Sequence, residues 1–263
     1  MSAKLPISVF IIALNEGDRI ANTIDSVRDW VDEIIVIDSG SSDNTVAISE
    51  QAGARVIFNP WPGYGPQKRF GEDQCRNDWL LNLDADEIIS DALKAEIQAL
   101  FARGEPPFRG YTMPIVEIMP GRSKPGLLAH KIVAIRLYDK KHGRFSDSTV
   151  HDTVRMEKGA TGALRHIVEH RSSRGIAHTL DKINRYSTMQ ADNLIARGKP
   201  LAFAHARLLT EFPVSFFKAY ILRGYFSCGW QGFSNAMVYA FSRFVRVAKY
   251  LEWEDRNNRS REQ

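Results

Sequence analysis

Cysteine is nearly absent from this chain: Cys75 and Cys228 are the two thiols in 263 residues, far apart and without metal-ligand spacing. That excludes a disulfide-built fold, and both thiols are expected to stay reduced in a cytosolic compartment. Charge of one sign is also scarce. Thirty-five Lys and Arg against 31 Asp and Glu leave a net +4, too mild to argue for a nucleic-acid partner. The opening residues, Met1-Ser2-Ala3-Lys4-Leu5-Pro6, lack the apolar core of a signal peptide. No Walker A or Rossmann glycine fingerprint is present, and no repeat is evident. A nucleotidyltransferase would bring a glycine-rich basic loop near the amino terminus, and there is none.

What is there has the proportions of an ordinary globular protein, 44% apolar and 25% charged. Ile7 to Leu14 is a nearly continuous apolar run, as suits a parallel strand covered on both faces. Further strands are predicted over Glu33 to Asp38, Ala54 to Phe58 and Trp79 to Leu83. Between them, helical spacing runs through Ile20, Ile24, Val27 and Trp30, then near Val46 to Ala52, then from Gln67 to Cys75. This alternation means βαβ units and a largely parallel sheet. The breaker-rich stretch Asn59 to Pro66, with Gly63-Tyr64-Gly65, reads as turn chemistry. A helix is expected from Asp91 to Arg103, and strands over Gly110 to Met119 and Lys131 to Tyr138. Shorter strands follow around the turn Lys140-Lys141-His142-Gly143 and over Ser148 to Met156, and the pattern is helical from Ile176 onward. The fold class is therefore α/β, a mostly parallel sheet flanked by helices over residues 1–174. A helical C-terminal extension over residues 175–263 follows.

Chemistry gathers where strands end. Leu80-Leu81-Asn82-Leu83 runs straight into Asp84-Ala85-Asp86-Glu87, and the carboxyl ends of parallel strands are where ligands bind. Like charges about 4 Å apart repel by roughly 4 kcal/mol at an effective dielectric near 20. A cation sharing that charge would relieve it, and Mg2+ or Mn2+ on a diphosphate is the sharp reading. A solvated acidic turn with a helix cap is the plainer one. Asn15-Glu16 and Asp38 also close strands, so all three acidic ends should meet in one crevice. Asp43 has the alternative role of a helix cap.

This combination resembles the family 2 glycosyltransferases of the nucleotide-diphospho-sugar (GT-A) fold. Ile37-Asp38-Ser39-Gly40-Ser41-Ser42-Asp43-Asn44-Thr45 is similar to that family's second-strand signature, and Leu83-Asp84-Ala85-Asp86-Glu87 to its metal motif. Gln67-Lys68-Arg69 and the downstream pair His151-Asp152 add a likeness to bacterial enzymes that glycosylate the lipopolysaccharide inner core. The resemblance implies an inverting, metal-dependent transfer of a hexose, glucose or galactose, from a UDP-sugar. Leu14 and Glu16 resemble first-strand nucleotide contacts, and Asp38 the carboxylate that meets base or ribose. Lys68 resembles a diphosphate contact, Asp84 a residue near ribose and sugar, and Asp86 the main ligand of Mn2+ or Mg2+, with Asp84 beside it. Ser39 replaces a second acid often found there, and Ile12-Ala13-Leu14 replaces a Pro-Thr-Tyr. Transfer to a polyprenyl phosphate or another envelope glycan is the rival, as is a binding module without catalysis.

An inverting transferase needs a carboxylate to take the acceptor proton. Asp152 is the candidate with His151 positioning it, and Glu117 is second. His166, His170 and His178 lack a zinc pattern, though His170 could touch the metal shell or diphosphate. His178, Lys182 and Arg185 share a helix face suited to an anionic acceptor or simply to water. Phe241, Phe244, Val245 and Ala248 set against Arg243, Arg246 and Lys249 form a basic amphipathic helix. That predicts a peripheral protein at the inner face of the cytoplasmic membrane. The uncharged stretch Gly224 to Ser242 holds too many polar groups to span a bilayer.

Overall fold

The computed structural model describes residues 4–119, 121–129, 131–148, 153–196 and 201–261. It divides into two compact units, Met1–Glu117 with Lys131–Ser172, and Ile118–His130 with Ser173–Gln263.

In the first unit β1 (Leu5–Ala13), β2 (Val31–Asp38), β3 (Arg55–Phe58) and β4 (Trp79–Asp84) alternate with α1 (Ile20–Asp25), α2 (Thr45–Gln51) and α3 (Tyr64–Gln74). Then come β5 (Glu87–Ile89), α4 (Asp91–Ala102), β6 (Gly110–Glu117) and β7 (Lys131–Asp139). Four short strands close the unit: β8 (Gly143–Phe145), β9 (Val154–Met156), β10 (Thr161–Ala163) and β11 (Val168–His170). The main sheet runs β3-β2-β1-β4-β7-β6-β11-β5, with β10 beside β6. β7 is antiparallel to both β4 and β6, and β5 to β11; the remaining pairings in this sheet are parallel. The α/β class expected from sequence is thus present.

The order reverses at β1, which lies between β2 and β4, so the crevice at its carboxyl end is the topological switch point. Both faces of the sheet are covered. Ile7, Val9, Ile11, Val36, Leu81 and Leu83 point into one buried cluster, while Phe10, Ile35, Ile37, Leu80 and Tyr138 point into the other. That two-sided burial is why these strands are uninterrupted apolar runs.

Two local outcomes differ from the sequence reading. Helical spacing as far as Trp30 produces only a short α1 followed by turns, closed by Trp30 Nε1 donating to the Ser26 carbonyl. Conversely α3 begins at Tyr64, inside the breaker-rich stretch. Pro66 falls in its first turn, where a missing N–H costs nothing. Gly65 is required there, because a Cβ would collide with the backbone carbonyls of Ser146 and Ser148.

The second unit holds α5 (Ile176–Ala196), α6 (Ala204–Phe217), a π turn over Lys218–Leu222, a 3-10 turn over Tyr225–Cys228, and α7 (Gly229–Arg261). Val247, Tyr250 and Leu251 of α7 pack on Ala204 of α6. Among the described residues no helix is long and apolar enough to cross a membrane. Arg243, Arg246 and Lys249 of α7 are engaged within the unit. Arg246 and Arg243 reach Glu211 at 3.0 and 3.5 Å, and Lys249 Nζ donates to Asn184 and Thr188. His178 is half-buried on α5, while the side chains of Lys182 and Arg185 lie outside the described part.

Candidate functional site: a carboxylate-lined rim at the switch point

Register places the acidic strand ends together. Ala13 at the end of β1 lies opposite Asp38 of β2, and Ile12 lies opposite Asp84 of β4. With one strand between them, Asp38 and Asp84 are about 10 Å apart. Leu14 continues β1 and is exposed.

The turns after β1 and β2 are bonded to each other. Asn15, at φ 56°, accepts from Ser42 N–H at 2.8 Å, and its own N–H donates to Ser41 Oγ. The Glu16 N–H donates to Thr45 Oγ1, and the Gly17 N–H to Asp43 Oδ2. Asp43 also accepts from the Thr45 N–H, but the N-cap of α2 is Asn44, so Asp43 ties the turn ahead of the helix and does not cap it. Buried Asp38 accepts from the N–H groups of Gly40 and Ser41 at 2.9 and 3.0 Å and from Ser41 Oγ, which fixes the turn that follows it.

The Asp-x-Asp segment splits its carboxylates between two environments. Asp84 points to cations from two elements: Lys68 Nζ of α3 at 3.0 Å from Oδ1 and Arg136 Nη2 of β7 at 3.0 Å from Oδ2. Burial pushes the Asp84 carboxyl up, but the charges of Lys68 and Arg136 outweigh it and hold it well below the usual range. Arg136 also binds Glu87 at 2.6 Å and Asn82 at 2.6 Å, and Lys68 lies 5.1 Å from the centroid of the Phe145 ring. Burial raises Glu87 to about 7 against the pull of Arg136.

Asp86 faces the other way. Its Oδ2 lies 3.3 Å from Arg19 Nη1 and 3.3 Å from His170 Nε2. His170, at the end of β11, sits in register with Glu117 of β6 and Glu87 of β5. Its Nδ1 lies 2.9 Å from Glu117 Oε2, and Ser172 Oγ donates to Glu117 Oε1. Burial pushes the imidazole down, but hydrogen bonds to Asp86 and Glu117 win and raise it to about 10, so both ring nitrogens donate. Glu117, the second candidate for the base, thus lies against His170. Glu16 is paired with Arg19 at 3.1 Å.

The rim thus gathers Asp38, Glu16, Asp84, Asp86 and Lys68 from the sequence-expected set. His151 and Asp152 lie outside the described residues; the strands flanking them, β8 and β9, pair with each other. Sequence reasoning missed Arg136 and Arg19. Arg136 had a signal, a lone charge in the apolar run Ile132-Val133-Ala134-Ile135-Arg136-Leu137. Arg19 had none beyond its place after the acidic turn.

Comparison with known proteins agrees with this arrangement. Residues 8–161 match the family model described as glycosyl transferase family 2. An uncharacterized glycosyltransferase of Rickettsia felis is 43% identical over 94% of this chain and 89% of its own. The lipopolysaccharide core biosynthesis glycosyltransferase LpsC of Rhizobium meliloti is 32% identical over 96% of this chain and 94% of its own. Among solved structures, glucosyl-3-phosphoglycerate synthase from Mycobacterium tuberculosis is similar at 28% identity, over 44% of each chain, with a TM-score of 0.33. That overlap is too partial to carry an argument. The acidic strand ends, the matched residues and the full-length relatives lead to one conclusion: the chain belongs to glycosyl transferase family 2.

Proposed function

We propose that this transferase moves a hexose, glucose or galactose, from a UDP-sugar to the lipopolysaccharide inner core, with inversion and with a divalent cation. The observation carrying this reading is the meeting of Asp38, Asp84, Asp86 and Lys68 at the carboxyl rim beside β1. Full-length similarity to a lipopolysaccharide core glycosyltransferase supports the acceptor class.

The donor set fits a hard cation completed by substrate. Asp86 Oδ2 is met by Arg19 and His170, so Oδ1 is the oxygen it offers, whereas both Asp84 oxygens are already taken by Lys68 and Arg136. Among the described residues no cluster of three His, Cys, Asp or Glu could hold a metal by itself. Mg2+ and Mn2+ accept one or two protein oxygens and fill their shell with diphosphate and water. Bound there, the cation would supply positive charge to the leaving diphosphate.

The chain's own residues do the rest. Asp38 holds the turn that receives uridine, with Leu14 and Glu16 at its edge. Lys68, positioned by Asp84, adds charge where the diphosphate departs. Asp152 takes the acceptor hydroxyl proton while His151 positions it. The oxygen then bonds to the anomeric carbon as the carbon–phosphate-oxygen bond breaks, and UDP leaves with the electron pair. His178, Lys182 and Arg185 offer a basic face to phosphorylated core sugars, and residues 175–263 serve the acceptor.

The test combines UDP-glucose or UDP-galactose with core-truncated lipopolysaccharide. A gain of one hexose in acceptor mass, abolished by EDTA and restored by Mn2+, is expected. Transfer only to a polyprenyl phosphate, or no UDP release with any sugar, would refute the reading.

A further inference from the structure

The helical unit exposes large apolar side chains that its own packing does not use. Trp230 is 72% exposed, Leu127 66%, and Leu128 and Leu222 63% each, with Phe226 and Phe233 also open to solvent. Leu127 and Leu128 are tied to the turn that carries Phe226, and Trp230 follows at the start of α7, beside Ile176 and Thr179. The Leu127 N–H donates to Ser227 Oγ at 2.9 Å, and Arg122 donates to the Ser227 carbonyl. Gly224, at φ 69°, lets the Leu127 carbonyl approach where any Cβ would collide with it. Tyr220 bridges Phe226 and Phe233 with ring centroids 6.5 and 5.8 Å away, and Phe216 stacks on Tyr220 at 5.3 Å. Exposed apolar area of this kind, seated on a fixed base, marks an interaction surface.

Charge decides what covers it. From Phe212 to Leu251, and again from Ile118 to His130, the chain has no acidic residue. Lys124 and Lys218 are exposed beside the patch in sequence, three residues before Leu127 and directly after Phe217. Arg223, following Leu222, stacks over the Tyr239 ring at 4.8 Å. A second copy of this chain docked through the same patch would bring these cations face to face with no carboxylate to meet them. An anionic lipid surface meets both needs, burying aromatic and leucine side chains at the headgroup boundary while the lysines meet phosphate.

We infer that this face of the helical unit, centred on Leu127, Leu128, Leu222, Phe226 and Trp230, seats the protein on an anionic bilayer. It is not the α7 face that the sequence pattern suggested, because Arg243, Arg246 and Lys249 are engaged with Glu211 and α5. The inference is independent of the transferase reading, since vesicle binding needs neither donor nor acceptor.

Flotation of the full chain with phosphatidylcholine vesicles, with and without phosphatidylglycerol, tests it. Binding to the anionic vesicles should exceed binding to neutral ones by about tenfold and weaken with salt. The double variant Leu127→Ser/Trp230→Ser should lose affinity on the order of tenfold or more with an unchanged circular-dichroism melt. Lys124→Glu/Lys218→Glu should lose the preference for anionic lipid. Undiminished binding by both variants would overturn the inference. So would a wild-type dimer that Trp230→Ser dissociates, with no vesicle affinity in either protein.

Discussion

Lys68 Nζ lies 3.0 Å from Asp84 Oδ1, a helix cation held against the last residue of a strand. Lys68 is almost fully buried, so its ammonium has exchanged water for Asp84 and the Phe145 ring. A desolvated, pre-positioned cation at a strand end is well suited to a departing diphosphate. Lys68→Met should lower transfer by about a hundredfold and weaken UDP binding, and Lys68→Arg should recover part of both. Wild-type kinetics in Lys68→Met would confine Lys68 to a structural role.

Arg136 Nη2 and Glu87 Oε1, 2.6 Å apart, are both buried. Removing Arg136 leaves buried Glu87 and one oxygen of Asp84 without their cation. Arg136→Met should therefore cost about 3–5 kcal/mol of stability in urea unfolding. Arg136→Met/Glu87→Gln should regain most of that loss. A double variant no more stable than Arg136→Met would contradict the pairing.

Asp152 and Glu117 can be told apart by kinetics. Asp152→Asn should abolish transfer while UDP affinity stays at the wild-type value. Glu117→Gln, which alters the partner of His170, should instead weaken metal-dependent UDP binding and leave measurable turnover. The reverse pattern would make Glu117 the base.

Glu72 supplies a pH dependence away from the site. Burial raises its carboxyl above the ordinary 4.5 despite hydrogen bonds from Tyr138, Phe145 and Arg144. The folded chain thus holds that proton more tightly than the unfolded one. Its contribution is complete below pH about 4.5 and is lost as pH rises through the higher folded value. Glu72→Gln should flatten that segment of the stability profile, measured by melting temperature against pH. An unchanged slope would reassign it.

Legibility followed burial and length. β1, β2 and β4 could be read because strands covered on both faces are unbroken apolar runs, and Asp38 and Asp84 came with their ends. β5 and β11 could not, since three residues show no period and Val168-Glu169-His170 pairs with partners far away in sequence. His170 was therefore visible only as a candidate contact to the metal shell or diphosphate, and its junction with Asp86 and Glu117 is a product of the sheet. Arg136 was hidden for a related reason: its value lies in reaching three strand-end groups at once. The start of α3 was masked by Pro66, which a first helical turn tolerates.

The central claim is that Asp86 anchors a cation gripping the nucleotide diphosphate. Calorimetric titration with UDP, with and without Mn2+, compares wild type and Asp86→Asn most directly. UDP should bind the wild type at least about tenfold more tightly with Mn2+, and Asp86→Asn should lose that gain. Equal affinity with and without Mn2+ in the wild type, or an intact Mn2+ effect in Asp86→Asn, would contradict it.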